Sequence, residues 1–365
     1  MKFQIDKQTL SAQISTVQRA ISNRTNMEIL EGLHISAKDN QLILKATDTE
    51  ISIQSVVSAM VAEEGSLVIN ASLLGDIVRK LPNAMVHFEV KNNKVHIQCQ
   101  QSDFMIMGQN SEDFPDLPQV EEDQKMSLSS QSFLEALKQT HFAVSTDDLR
   151  MTLTGVLMDI KKDQVHFVAL DGYRMAICQV KENFAFEKEI ILPSRAVSEL
   201  IKLLPDEEEV LPIAITSNHL MIKIGETSFY TKLLSGQYFK YQGLLRSDHE
   251  LSVQIGAKAL LGALERASLM TDKGKSGLIK MDIQENEMVI ESNSEIGNVH
   301  EVIPCKLQGH PLRIAFNARY LIEGIRVIDE EEIELYFKDP VNPCIIQAKE
   351  DKDYLYLVLP VRLAG

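Results

Sequence analysis

At 365 residues, with 44% hydrophobic and 24% charged side chains, the chain is long enough for two or three domains with their own cores, and its composition excludes a disordered polymer. Its net charge of −15 argues against a nucleic-acid partner unless the basic residues are segregated onto one surface. Cys99, Cys178, Cys305 and Cys344 are far apart and form no Cys-x-x-Cys pair, which excludes a zinc finger or a disulfide framework and leaves the expectation of reduced core thiols.

Met1 to Asp6 alternates as a strand and lacks the apolar run of a signal peptide; nothing approaches the roughly 18 apolar residues of a membrane span, so a cytoplasmic protein is expected. Leu10, Ile14, Val17 and Ile21 recur at helical spacing and predict a helix over 7–22. Strands follow over 33–36 and 41–58, then a helix over 71–81 with Asn70 as cap and Pro82 as stop, then strands over 86–90, 94–98 and 102–107. The polar, proline-containing stretch Glu112-Asp113-Phe114-Pro115-Asp116-Leu117-Pro118 and Glu121-Glu122-Asp123 reads as a linker. The order then repeats. A helix is predicted over 130–144, strands through 165–177, a helix over 193–204 with Pro193 in its first position and Pro205 as stop, and strands over 211–234. After a polar turn at Arg246-Ser247-Asp248-His249, a third cycle has helices over 256–270 and 317–328 and strands over 278–303 and from 333 onward. A period of about 120 residues is that of a domain, not a solenoid unit. We therefore expect an α+β chain of three similar domains, 1–124, 125–248 and 249–365, each with two helices covering antiparallel sheets.

The stretch Val165 to Ala176 marks the repeat. Val165, Phe167 and Ala169 alternate, Asp171-Gly172 supplies a turn, and Arg174, Met175 and Ile177 open a second strand, which together read as a β-hairpin. Leu42 to Ile53 has the same order with Asp48 in the turn, and Met288 to Ile296 has it more loosely.

Charge is segregated by secondary structure. The six helix windows hold eleven basic residues (Lys7, Arg19, Arg79, Lys80, Lys138, Arg195, Lys202, Lys258, Arg266, Arg319, Arg326) against five acidic ones, which leaves −21 for the rest of the chain. Helices often carry solvent-facing Lys and Arg, but a net basic excess over the six helices suits a phosphate backbone contacted without base reading. No phosphate-binding glycine loop, dinucleotide fingerprint, nucleophile elbow or His-Glu-x-x-His is present, so neither a catalytic centre nor a cofactor is expected. Asp206-Glu207-Glu208-Glu209 and Asp329-Glu330-Glu331-Glu332 each follow a predicted helix, and we read both as solvated loops rather than metal sites.

The threefold repeat, Ala169-Leu170-Asp171-Gly172-Tyr173-Arg174-Met175-Ala176, Glu112-Asp113-Phe114-Pro115 and the ending Val358-Leu359-Pro360-Val361-Arg362-Leu363 together resemble the bacterial sliding clamp family, the β subunit of the replicative DNA polymerase. The resemblance spans essentially the whole chain. It implies a non-enzymatic head-to-tail homodimer closed into a six-domain ring, with helices around duplex DNA and sheets outside, opened by an ATP-driven clamp loader and used by replicative and repair polymerases. It also implies a hydrophobic peptide cleft between the second and third domains. Carried over, its wall comprises Leu153, Leu170, Gly172, Tyr173, Arg174 and Met175, with Leu357, Val358, Leu359, Pro360, Val361 and Arg362, and Arg174 and Arg362 would hold the peptide's polar groups. DNA contact falls to Arg24 by match, and to Arg79, Lys80, Arg195, Lys202, Lys258 and Arg266 by charge and placement. Ring closure falls to Phe104 and Ile106 against Leu269 and Met270.

The chain departs from the family pattern in places. Gly236-Gln237-Tyr238-Phe239-Lys240-Tyr241 lacks the usual proline, and Gln242-Gly243 replace basic residues, so a rim made by Phe239, Gly243 and Leu244 should differ in shape and peptide preference. Glu28 replaces another proline, and Ala364-Gly365 extend the usual end. The competing expectations are an oligomeric peptide-binding scaffold that does not encircle DNA and a metal-dependent nuclease or phosphatase using Glu207 to Glu209.

Overall fold

Every predicted helix forms in the computed structural model, which describes all residues except 23–26, 119, 121–123, 246–247, 272–276, 296 and 363–365. The α-helices are α1 (Lys7–Val17), α2 (Ala71–Lys80), α3 (Ser130–His141), α4 (Ser194–Leu203), α5 (Ala257–Ser268) and α6 (Ala318–Arg326). Most are shorter than their sequence pattern. Asp6, Asn70 and Asn317 cap three of them by accepting from Thr9, Leu73 and Arg319 backbone N–H groups, which satisfies donors that the first turn leaves open.

Each helix grows directly out of a strand: Lys2–Asp6, Gly65–Asn70, Gln124–Ser129, Lys188–Pro193, Leu251–Gly256 and Leu312–Asn317 each end one residue before a helix begins. Three further strands follow each helix, and after α1 a short fourth, Met60–Glu63, is added. The repeat is thus a strand, a helix and three strands, present six times among the described residues, twice in each third of the chain. Pro193 corrects one expectation, because it closes the feeding strand Lys188–Pro193 instead of opening α4. At the end of the strand its missing N–H removes no helical hydrogen bond.

The marking hairpin forms from Val165–Leu170 and Arg174–Val180. The Asp171 carboxylate accepts from the Tyr173 and Arg174 N–H groups at 2.8 and 3.1 Å, and Gly172 takes φ +94. Asp48 does the same for Glu50 and Ile51 at 3.1 and 2.8 Å, with Thr49 at φ +76. The repeat therefore keeps its aspartate because the side chain builds the turn.

The strand ladders are antiparallel and form sheets of five, eight and twelve strands. By packing, the described chain divides into one unit of Met1–Ser130 with Lys202–Leu233 and another of Gln131–Ile201 with Leu234–Gly365. In the first, Leu10, Ile14 and Val17 of α1 and Leu74, Ile77 and Val78 of α2 are buried, α1 and α2 touch each other, and α1 covers the strands Gln41–Thr47 and Ile51–Ser58. In the second, α5 packs on α6 and on Glu287–Ser294, and α6 packs on Tyr354–Val358. Gly324 makes this last contact possible, since a Cβ there would sit 2.2 Å from the Tyr356 ring. All four cysteines are buried and free.

Candidate functional site

The second unit carries a buried apolar cluster on one face of its twelve-stranded sheet. Cross-strand pairing lines up Ile191, Leu157, Val168, Ile177 and Leu355 in one row. A second row holds Leu170, Met175, Leu357, Ile345 and Tyr336. Side chains alternate along a strand, so these residues share one face. Leu153, Tyr238 and Tyr241 join them in a single hydrophobic cluster. Around it stand exposed apolar side chains: Tyr173 is 60% exposed, Phe239 50%, and Leu244 and Leu359 both 37%. The cluster lies within one unit and joins strands from the second and third repeats.

Alternation also splits the expected wall. Leu170, Met175 and Leu357 belong to the cluster, whereas Arg174 pairs with Val358 on the opposite, helix-covered face. The Tyr356 hydroxyl on that face donates to the Tyr320 carbonyl of α6 at 2.8 Å. Arg174 is only 6% exposed. Its Nε donates to Asp171 Oδ2 at 3.0 Å, its Nη2 to the Phe142 carbonyl at 2.7 Å, and its Nη1 to Glu323 Oε2. The guanidinium also lies 4.5 Å from the Tyr320 ring centroid. Three of its five N–H donors thus tie the turn of the hairpin to α3 and α6, a structural task beside the peptide contact expected of it. Burial works against its charge, but Tyr356, Glu323 and Asp171 outweigh burial and raise its pKa. Burial would likewise raise the Glu323 carboxyl, yet hydrogen bonds from Arg319 and Arg174 lower it.

Arg362 is exposed, and Pro360 and Val361 are half-buried. The terminal segment is held by Leu359 N–H to the Tyr173 carbonyl and Val361 N–H to the Ala315 carbonyl, both 2.8 Å. Gly172 and Gly243 are exposed. Sequence reasoning missed Ile177, Ile345, Tyr238, Tyr241 and Tyr320. Ile177 and Ile345 were within reach, because Ile177 is two residues from Met175 and Ile345 lies in an apolar run. Tyr320, which stacks at 6.2 Å on Tyr173, carries no local signal.

The cationic candidates fall into groups. Arg79, Lys80, Lys202 and Lys258 are exposed and Arg195 is half-buried; Arg79 pairs with Asp76 at 3.2 Å. Arg266 donates twice to Glu301, at 2.8 and 2.7 Å, so part of its charge is already offset by a bidentate partner. Arg24 lies outside the described residues. Phe104 is exposed and Ile106 half-buried on Ser102–Met107, the edge strand of the five-stranded sheet. Leu269, 68% exposed, caps the end of α5, and the Met270 carbonyl accepts from Ser292 Oγ at 3.2 Å. Among the described residues, no group of three or more His, Cys, Asp or Glu is placed to hold a metal.

These features define a repeat-built α+β protein in which exposed apolar side chains stand beside a buried cluster that joins its second and third repeats. Family models for the N-terminal, central and C-terminal domains of the DNA polymerase III beta subunit match residues 1–118, 127–240 and 243–362. The Bacillus subtilis beta sliding clamp is 31% identical over 99% of this chain and 100% of that protein, and the crystal structure of the sliding clamp from that species superposes with a TM-score of 0.97, covering 100% of both chains. A putative DNA polymerase III beta subunit from Eubacterium rectale is 34% identical with a TM-score of 0.95 over 99% of each chain. A Pseudomonas aeruginosa sliding clamp bound to griselimycin shares the fold, at 24% identity and a TM-score of 0.95 over 100% of both chains. The chain belongs to the bacterial DNA polymerase III β subunit family, the β sliding clamps: non-catalytic subunits that confer processivity on the polymerase.

Proposed function

We propose that two copies close head to tail into a ring of six domains, bounded near 1–124, 125–248 and 249–365, that encircles duplex DNA in the cytoplasm. Phe104 and Ile106 of one copy meet Leu269 and Met270 of the other. The helix cations Arg79, Lys80, Arg195, Lys202 and Lys258 face the phosphates with Arg24, and Arg266 joins them with the N–H groups that Glu301 does not take. Contact of this kind is independent of sequence and weakened by salt, so linkage rather than affinity keeps the ring on DNA. A clamp loader opens it, and replicative and repair polymerases dock on it by short peptides.

The observation that supports the docking reading is the set of exposed apolar side chains, Tyr173, Phe239, Leu244 and Leu359, on segments that pack against the buried cluster. Apolar anchors packed against these side chains supply affinity, and the shape of the rim they make supplies selection. Griselimycin, bound by the Pseudomonas aeruginosa clamp, is a suitable probe. Titrated calorimetrically, it should bind the wild-type chain, and Phe239→Asp with Leu359→Asp should weaken it by more than roughly tenfold, the loss expected for a hot-spot contact. Equal binding by the double variant would overturn this placement of the cleft.

A further inference from the structure

The segment 235–245 crosses the apolar face with two glycines and no proline, and Gly236 sits at φ +123. Its own backbone does little to fix its path. Two tyrosines do so instead. The Tyr238 hydroxyl donates to the Val168 carbonyl at 3.3 Å. Tyr241, fully buried, donates to Asp159 Oδ2 at 2.8 Å and lies 2.9 Å from His166 Nδ1. The single phenol proton goes to Asp159, so His166 must donate through Nδ1–H, which fixes the tautomer.

Asp159 is 1% exposed, and its other oxygen lies 2.8 Å from Lys161 Nζ. It pairs across the strands with Glu189 and His166, and His166 with Gln179. This makes one polar row beside two apolar ones on the same sheet face. A buried carboxylate is costly unless every partner is in place. Here Tyr241 of the crossing segment donates to Oδ2, while Oδ1 has the Lys161 ion pair and, among the described residues, no hydrogen bond, so the segment supplies the carboxylate's closest hydrogen bond.

We propose that the chain His166, Tyr241, Asp159 is a latch that positions the cleft rim and thereby sets which partner peptides are accepted; it rests on the cleft reading above. Between the two planted tyrosines Phe239 points outward, and the 3-10 turn Tyr241–Leu244 begins at the latch, so Gly243 and Leu244 take their places from it. Tyr241, Asp159 and His166 are positioning residues.

The chain contains no tryptophan, so Phe239→Trp gives a single fluorescent reporter on the rim. In that background Tyr241→Phe, which keeps the ring but removes both hydrogen bonds, should increase acrylamide quenching of the reporter and weaken griselimycin roughly tenfold, the effect of one lost hydrogen bond to a charged group. If that variant fails to fold, His166→Leu, which removes one end of the latch, carries the same test. Unchanged quenching overturns the latch. Increased quenching with unchanged griselimycin affinity overturns its part in selection. Failure of the wild-type chain to bind griselimycin would instead remove the cleft reading, and the selection role with it, while quenching still decides whether the latch holds the segment.

Discussion

Arg174 shows how a residue can be found by its sequence while its structural task goes unseen. Its position in the marking hairpin was legible, but its face follows from the period of two along a strand, which sets it opposite Met175 and toward α6. The same rule separates Leu357 and Leu359 from Val358, which is fully buried under the helices. Removing the guanidinium would leave Glu323 and Asp171 without their shared cation in a poorly hydrated place. Arg174→Ala should therefore lower unfolding stability by about 3 kcal/mol, as when one member of a buried ion pair is deleted. Arg174→Lys should recover only part, since an ammonium cannot reproduce the planar fork over Tyr320. Denaturant titration measures both, and a loss within experimental error for Arg174→Ala would contradict the clasp.

At the scale of elements, helices were the legible part because their apolar spacing is long and strongly periodic. The strands that feed them were harder to see. Gly65–Asn70, Lys188–Pro193 and Leu312–Asn317 are each six residues long, and they run into the helix without a turn, so their alternation merges with its first residues. That is why a sixfold unit read as a threefold one. The contact between α6 and the hairpin makes a titration prediction. The Glu323 carboxyl is held below the ordinary glutamate value of 4.5, so its stabilising contribution is complete above that value and disappears as pH falls through the lowered one. The melting-temperature gap between wild type and Glu323→Gln should be largest near neutral pH and shrink in acid. A gap that grew toward acid would refute the assignment. The rim segment was legible only as a departure from a family pattern, because the partners of Tyr241 lie about 80 residues earlier and no local rule joins them.

For the whole molecule, net charge misleads and its distribution informs. An acidic chain of −15 looks unsuited to DNA until the surplus of basic residues on the helices is counted apart from the rest. A ring held by linkage needs only a weakly positive lining, and an acidic exterior discourages non-specific binding. The most direct measurement loads the protein with a clamp loader onto nicked circular plasmid, washes it in high salt, and follows retention before and after the DNA is linearised, with Leu269→Asp alongside. Salt removes contacts made only through charge. The account predicts that the wild-type chain stays on the circle and runs off the linear form, and that Leu269→Asp, a folded monomer, is lost from both. Equal loss of the wild-type chain from circle and linear DNA, with a loader proven on another clamp, would contradict encirclement and leave a peptide-binding scaffold in its place.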